Sequence, residues 1–341
     1  MQTHDYQKND FWVYYLLAVV IAILGTLWMA FGNGVIYEAL YGEPMLPDAY
    51  TFVGMMMQQA ESRLGLPSDS ILASLSLLIG KHWYMFPTYL FPAAPSIAAI
   101  LVVWYFSRGA GVKALFSRFS PAQEGISAAQ GLKLNGLIFL AIIVYTLVLA
   151  VLSGLSAEGG FAGNIEGLRL DAPFMALMLL LVGSFTAHGA ILEELGWRGF
   201  AWPLLQKVMK TPLHAAIFLG ILWGAWHLPR EVIMLLGGAP FGQFLLGQID
   251  FFLMAVTLTI IIGWAVNKAG GSILPGIMIH GASNYLGGSI DGTHVVFVFS
   301  TQSLMTLAVA IAIVVFAGSQ LGYRGPIKAK GRNSLTETTG V

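Results

Sequence analysis

Eight long stretches of the chain carry almost no charged residues, and this pattern constrains the fold more than any other feature. An α-helix rises ~1.5 Å per residue, so about 20 apolar residues cross the ~30 Å hydrocarbon core of a bilayer. The stretches are continuously apolar rather than alternating, which favours helices over the strands of a barrel. We therefore predict an all-α integral membrane protein with about eight transmembrane helices. The predicted spans are 11–31, 88–106, 136–152, 172–192, 213–228, 244–266, 272–286 and 295–321.

The composition supports a location in the cell membrane. Hydrophobic residues make up 57% of the chain and charged residues only 10%, whereas a soluble domain carries roughly 25% charged residues. Membrane lipid is therefore the first expected partner. The formal net charge is zero, which argues against a nucleic-acid partner because phosphate binding needs a surplus of Lys and Arg. Cysteine is absent, which excludes thiol nucleophiles and cysteine metal ligands.

The distribution of Lys and Arg predicts the orientation in the membrane. Loops that stay in the cytoplasm carry an excess of these residues. If the N-terminus is inside, 12 of the 17 Lys and Arg residues fall in inner segments and four in outer segments. We therefore expect both termini in the cytoplasm. The inner residues are Lys8, Arg108, Lys113, Arg118, Lys133, Lys207, Lys210, Lys268, Arg324, Lys328, Lys330 and Arg332, and the outer residues are Arg63, Lys81, Arg169 and Arg230.

Polar residues inside the apolar regions are costly, since an ionisable side chain in the bilayer centre costs about 2.5–3.5 kcal/mol on insertion scales. Three helical segments nevertheless contain them. At ~1.5 Å per residue, Glu193, His227 and His280 lie about 21, 25 and 18 Å from the basic inner ends of their helices. Three helices thus bring polar groups to a similar depth. The polar residues are Glu193, Glu194 and Arg198 in ILEELGWRGF, His227 in WGAWHLP, and His280 and Asn284 in IMIHGASNYL.

Helical spacing separates the two neighbouring glutamates. Glu194 and Arg198 are four residues apart, so they share a helix face and can form an ion pair. Glu193 points roughly 100° away from Glu194. One glutamate is therefore expected to be held by Arg198 while the other faces a cavity. The alternative is that both carboxylates are structural, or that one relays protons in a transporter.

The same spacing groups the other polar residues. His280 and Asn284 share a helix face, and Trp223 lies one turn before His227. A glutamate and a histidine in a wet pocket can activate water, while a second histidine with an asparagine can stabilise the oxyanion that forms. Two histidines and one or two glutamates also suit Zn²⁺. The residues alone leave both possibilities open, although the HExxH zinc signature is missing.

Taken together, the three motifs resemble those of the CPBP family, the CAAX prenyl proteases and bacteriocin-processing or self-immunity (Abi) membrane peptidases. The motifs are Glu193-Glu194-xxx-Arg198, an aromatic-xxx-His ending at His227, and His280-xxx-Asn284. They occur in the family's order on three hydrophobic helices. The resemblance covers about residues 174–286.

The resemblance implies an intramembrane endopeptidase with a catalytic cavity among four helices. Position by position, Glu193 matches the carboxylate that activates water and His227 matches its partner. His280 and Asn284 match the pair assigned to the oxyanion site. The substrate would be a membrane-anchored protein or peptide, including prenylated CAAX-type proteins. This interpretation needs no cofactor.

Glu194 and Arg198 match supporting positions of the first motif, and Trp223 stands where the family more often has Phe. A divalent metal such as zinc is the alternative to glutamate-dependent catalysis, with its ligands among Glu193, Glu194, His227 and His280. Other hypotheses are a non-catalytic scaffold or self-immunity protein of the same fold, and a proton-coupled transporter. A transporter would show inverted repeats, and the sequence has no such symmetry.

These inferences divide the chain into three regions. Residues 1–170 are predicted to form an N-terminal membrane region with a long outer loop at about 32–86. Residues 171–290 form the predicted catalytic core. Residues 291–341 contain the predicted last transmembrane helix and a mobile basic tail.

Overall fold

The computed structural model is predominantly α-helical and describes residues 4–42, 54, 64–67, 69–79, 82–123, 125–155, 160–236, 238, 240–289, 294–296, 299–323 and 325. In these residues the α-helices are α1 (Lys8–Leu27), α2 (Asn33–Tyr41), α3 (Ile71–Ile79), α4 (Leu90–Phe116), α5 (Ala128–Gly154), α6 (Gly160–Gly167), α7 (Pro173–Thr186), α8 (His188–Glu194), α9 (Trp202–Val208), α10 (Pro212–Leu236), α11 (Phe241–Lys268), α12 (Leu274–Ser289) and α13 (Thr301–Ala317). Shorter elements are the π-helices Trp28–Gly32 and Leu195–Ala201, the 3-10 helices Trp83–Tyr89, Ser117–Phe119 and Gly318–Gln320, and the strands β1 (His294–Val296) and β2 (Phe299–Ser300).

Within this described part, five helical segments are long and apolar enough to cross a membrane. They contain four of the eight predicted spans and most of a fifth, 295–321. The other three predicted spans fall in α7 with α8, in α10 and in α12, where the polar motif residues lie. The chain is therefore an all-α membrane protein, as predicted. The five segments are Lys8–Tyr41, Trp83–Phe119, Ala128–Gly154, Phe241–Lys268 and Thr301–Gln320.

The predicted span 172–192 is not one continuous helix. The backbone of Ala187 is extended, with φ −54° and ψ 120°, and it separates α7 from α8. Ala187 instead forms an antiparallel bridge with Ser70, and the His188 amide donates to the Asp69 carbonyl at 2.8 Å. A break inside a membrane domain needs such partners for its freed backbone groups. Because these partners lie far away in the sequence, the local apolar pattern did not predict the break.

The last predicted span, 295–321, begins too early. Its first residues form the hairpin of β1 and β2, and α13 starts at Thr301. The run HVVFVF is rich in β-branched and aromatic residues, which favour strands. The Ser300 hydroxyl accepts from the Ser303 amide at 3.2 Å and caps α13, and the Ser300 amide donates to Asp250 on α11 at 3.1 Å.

Two other sequence predictions fall largely or wholly outside the described residues. One is an amphipathic helix in the outer loop, which the sequence favours near residues 50–64, and the other is the mobile tail after residue 322. Residues 71–80 of the same loop are apolar but too few to form a span, and α3 (Ile71–Ile79) lies there.

The centre of the fold is the chain from α8 through the π-helix Leu195–Ala201 into α9, which packs against α4 and α12. Gly196 permits close packing on α4, since a Cβ atom there would lie 2.3 Å from the Pro95 carbonyl. Gly281 likewise permits close packing of α12 on α7, because a Cβ atom there would lie 2.4 Å from the Ser184 carbonyl oxygen. Small residues allow helices to approach in this way inside membranes. A π-turn in such a position often accompanies a functional site.

The N-terminal helices form part of the same core. Helix α1 packs against α4 and α10. The Tyr15 hydroxyl donates to the Leu222 carbonyl at 3.0 Å, and the Trp226 indole donates to the Ala18 carbonyl at 3.3 Å. Residues before 171 therefore help to hold α10, which carries His227.

Candidate active site

A cavity of about 680 Å³ lies among α4, α8, α10, α11 and α12. It brings together five of the seven candidate residues, although they come from three separate helices. The other two, Glu194 and Arg198, are buried beside it. The similar depths inferred from the sequence thus correspond to one common cavity. The five lining residues are Glu193, Trp223, His227, His280 and Asn284.

Glu193 is buried, and its two carboxylate oxygens have different surroundings. Oε2 accepts hydrogen bonds from the indole N–H groups of Trp223 at 2.8 Å and Trp197 at 3.3 Å. Within the described part of the chain no donor bonds Oε1, which faces the space over Gly189; a Cβ on that glycine would lie 3.3 Å from Oε1. One oxygen is therefore fixed and the other is available to a ligand or water.

Glu194 points away from Glu193, as the helical spacing predicts. Its Oε1 accepts from Arg198 Nη1 at 2.7 Å and contacts His280 Nδ1 at 3.0 Å. Arg198 also donates to the Thr259 hydroxyl of α11 at 3.2 Å, and its guanidinium lies over the Trp223 ring, 4.6 Å from the centroid. This buried group joins the segments carrying the three motifs.

The tautomer of His227 follows from its surroundings. Its Nδ1 is 2.9 Å from the Trp223 carbonyl oxygen, and a carbonyl oxygen can only accept, so Nδ1 carries the proton. In the neutral ring Nε2 then has a free lone pair. The rings of Trp226 and Phe251 lie 4.8 Å from the imidazole, which restricts its rotation.

Asn284 and His280 lie on the cavity side of α12. Asn284 is exposed in the cavity, and its Nδ2 would lie 3.2 Å from a Cβ on Gly189. It therefore reaches the same space as Glu193 Oε1. His280 is buried and packs edge-on against Trp223, with ring centroids 4.9 Å apart. Donors from α12 and the carboxylate of α8 thus flank one small volume.

Three residues in or beside the cavity were not singled out by the sequence. Trp197 bonds Glu193, and its position four residues later on the same helix face was the available signal. Arg230 lines the cavity one turn after His227, with its guanidinium bonded to Glu231. His188 also lines it, and its Nδ1 donates to the Asp69 carbonyl at 2.6 Å; only the helix break explains that contact.

The carboxylate and imidazole groups of the site are the kinds of ligand that zinc binds. Zinc takes three or four protein ligands. Among the described residues no three His, Asp or Glu side chains are placed to hold a metal ion. Glu193 Oε2 and Glu194 Oε1 already accept from tryptophan, arginine and histidine groups. The arrangement therefore does not fit a zinc site, and a metal requirement remains a prediction of the sequence motifs alone.

Comparison with known proteins agrees with the motif pattern. Residues 172–286 match the family model described as type II CAAX prenyl endopeptidase Rce1-like. A CAAX prenyl protease 2 from Methanococcus maripaludis is 29% identical over 181 residues. That alignment covers 52% of this chain and 63% of the relative. Residues 172–286 are therefore similar to the type II CAAX prenyl endopeptidases, in agreement with the resemblance of the three motifs to the CPBP family.

Proposed function

We propose that the protein is an intramembrane endopeptidase that hydrolyses membrane-anchored proteins with a water molecule activated by Glu193 and His227. The observation that carries this proposal is the convergence of Glu193, His227, His280 and Asn284 on one cavity. The similarity of residues 172–286 to the type II CAAX prenyl endopeptidases supports it. A buried carboxylate beside a histidine is a suitable device for general-base catalysis.

In the first step, Glu193 Oε1 and His227 Nε2 hold the attacking water. One water proton moves to the Glu193 carboxylate as the water oxygen bonds to the scissile carbonyl carbon. The carbonyl π electrons move to its oxygen and form a tetrahedral oxyanion. The bonds from Trp197 and Trp223 to Oε2 keep the other oxygen directed at the water, and such fixed positioning contributes much to enzymatic rates.

In the second step, the oxyanion collapses and the C–N bond breaks. The Glu193 proton passes to the departing nitrogen, so the products are a carboxylic acid and an amine. The Asn284 amide donates to the oxyanion. His280 lies one turn before Asn284 on the same helix, and its Nδ1 contact with Glu194 at 3.0 Å fixes its ring beside the cavity. Preorganised donors of this kind are often the largest contribution to catalysis.

The location of the cavity and the similarity to a CAAX prenyl protease support a membrane-anchored substrate. A cavity enclosed by apolar helices favours a peptide delivered by a membrane anchor. The curated relative is a CAAX prenyl protease, which makes a prenylated CAAX-type protein one candidate. The test is a survey of peptide termini in membranes that hold the wild type or Glu193→Gln at equal levels. Peptide termini that appear only with the wild type would identify substrates. Identical sets of termini for the two proteins, in membranes that also contain a supplied membrane-anchored test peptide, would contradict the proposal.

Replacing Trp223 tests its hydrogen bond to Glu193 Oε2. Trp223→Phe retains an aromatic ring but removes the donor to Glu193 Oε2. Hydrogen bonds to charged groups contribute ~1.5–3 kcal/mol. Because Trp197 still holds the carboxylate, we expect kcat to fall about tenfold, equivalent to ~1.4 kcal/mol, with a smaller change in KM. Steady-state cleavage measures both, and Trp104→Phe on exposed Trp104 is the control. An unchanged kcat would show that the hydrogen bond from Trp223 to Glu193 does not contribute to catalysis.

A methyl group on Gly189 tests the space between the proposed base and the oxyanion donor. In Gly189→Ala the new Cβ would lie 3.2 Å from Asn284 Nδ2 and 3.3 Å from Glu193 Oε1. Contacts of this length displace the neighbouring groups by a few tenths of an ångström. Because a displacement near 1 Å at a catalytic group can cost about 100-fold, we expect kcat/KM to fall by roughly threefold to tenfold. Thermal stability should not fall, because Ala favours a helix by up to ~1 kcal/mol over Gly.

Gly136→Ala provides the matched control, since nothing lies within 4 Å of a Cβ there. Activity and melting temperature are measured on all three proteins in the same detergent. Full activity in Gly189→Ala would show that the reacting groups lie elsewhere in the cavity.

A further inference from the structure

The two ends of the helical domain differ in their content of Lys and Arg. The end where the segments carrying Arg118 and Lys207 meet is called the basic end. The N-terminal segment meets α9 there: Lys207 forms an ion pair with Asp5. The Tyr6 hydroxyl lies 3.0 Å from the Ser107 hydroxyl on α4. A second cavity of about 340 Å³, lined by Lys207 and Arg118 among others, lies between these segments.

Further segments join this end through backbone contacts. Arg118 Nη1 donates to the Gly271 carbonyl at 3.1 Å, and the Ile273 amide donates to the Arg118 carbonyl at 2.9 Å. Asn267 donates to the Leu321 carbonyl at 3.1 Å. All the chain segments that meet here are among those assigned to the cytoplasm by their Lys and Arg content. The structure thus assembles the separately predicted inner segments at one end of the molecule.

The catalytic cavity extends towards the other end. Its lining includes Asp69, Met85 and Arg230, all from segments predicted to be outside the cytoplasm. The Trp28 indole donates to the Tyr84 carbonyl at 2.8 Å, and Asn33 donates to the Thr88 hydroxyl at 3.1 Å, which connects the first two long helical segments at this end. Of the described residues that line the cavity, none comes from 107–135, 199–212 or 267–273 at the basic end.

The charge distribution decides which end faces the cytoplasm. Among the described residues, eight Lys and Arg residues lie in the segments of the basic end, and two, Arg169 and Arg230, lie in those of the cavity end. Because cytoplasmic loops carry the excess of such residues, the basic end is the cytoplasmic one. The cavity then begins near the middle of the bilayer, at Glu193, and continues away from the cytoplasm.

From these observations we infer that the cavity opens on the non-cytoplasmic face of the membrane. The inference rests on the proposed function only in what it says about substrates. A peptide bond reaches Glu193 from that face, so the substrates are membrane-anchored proteins whose cleaved segment lies outside the cytoplasm. This orientation argues against the prenylated CAAX-type candidate, whose lipid-modified end faces the cytoplasm. Their anchor, a lipid or an apolar helix, enters from the outer leaflet.

Because the chain contains no cysteine, single cysteines can be introduced and labelled without a competing thiol. Ser283→Cys and Thr88→Cys place a thiol in the cavity lining. Ser117→Cys places one on the exposed surface of the basic end. Intact cells are treated with a sulfonated maleimide that does not cross membranes, then opened and treated with a permeant maleimide that carries a mass label. Inverted vesicles are treated in the same order.

On intact cells the sulfonated reagent is expected to block the two cavity thiols and to leave Ser117→Cys free for the second label. In inverted vesicles the pattern should reverse. Blocking of the cavity thiols only in inverted vesicles, or blocking of all three thiols from one side, would overturn the inference. Equal yield and elution of the three variants on size exclusion show that each has folded.

The terminal-peptide survey separates this inference from the proposed function. Glu193-dependent cleavage at cytoplasmic positions would support the peptidase and overturn the outward-facing cavity. Cleavage at non-cytoplasmic positions would support both. The expected thiol pattern with no Glu193-dependent cleavage of a supplied substrate would support the cavity's orientation and contradict the peptidase.

Discussion

Glu193→Gln is expected to fold and to reach the membrane but to lose peptide hydrolysis by about 10³-fold or more. The amide has nearly the same shape as the carboxylate, and its oxygen can still accept from Trp223. It cannot take the proton of the attacking water or return it to the leaving amine. Cleavage of a lipid-anchored peptide by the purified protein measures the loss, and thermal unfolding in the same detergent measures stability.

Glu166→Gln makes the same chemical change at an exposed helical position and should keep full activity. If Glu193→Gln cleaves as fast as the wild type, the water-activating role of Glu193 is wrong. If neither the wild type nor Glu193→Gln cleaves, but both produce the same effect in cells, the scaffold or self-immunity hypothesis gains support. A proton-coupled transporter predicts a different result, in which Glu193→Gln abolishes flux through liposomes that depends on a proton gradient.

Arg198→Met is expected to destabilise the protein by about 3–5 kcal/mol, because it leaves a buried carboxylate without its main charge partner. Arg198 and Glu194 are 1% and 0% exposed. Arg198 also bonds Thr259 on α11, so its loss weakens the connection between α11 and the π-helix. Activity should fall as well, because Glu194 then holds His280 less firmly. Thermal and denaturant unfolding in detergent, with a parallel cleavage assay, measures both effects.

Two further variants make this prediction specific. Glu194→Gln/Arg198→Met removes both charges and should recover much of the lost stability without recovering activity. Arg169→Met is the control. It breaks a 3.8 Å contact between Arg169 and Asp171, and both of these side chains are more than half exposed. Such surface pairs contribute about 0–1 kcal/mol to stability. Equal losses in Arg198→Met and Arg169→Met would contradict a structural role for the buried pair.

Local patterns in the sequence anticipated much of this protein. Hydropathy predicted an all-helical membrane fold, since every backbone group in lipid must find its partner within the structure. Helical periodicity predicted that Glu194 pairs with Arg198 while Glu193 points elsewhere, because residues four apart on a helix share a face. The depths of Glu193, His227 and His280 predicted that three helices contribute to one level. The catalytic roles of these residues remain predictions that the variants above test.

Other features depend on residues that are distant in the sequence. The apolar run 172–192 gives no local signal of the break at Ala187, which exists because Asp69 and Ser70 supply its partners. The fixed Oε2 of Glu193 depends on Trp223 from another helix.

The sequence by itself thus determined the helical membrane class, the motif residues and their approximate depth, because hydropathy and helical spacing are properties of neighbouring residues. Only the tertiary structure decided which oxygen of Glu193 is free, which nitrogen of His227 is bonded to the backbone and that α8 begins at a break. These features are set by contacts between segments that the chain brings together only when the helices pack.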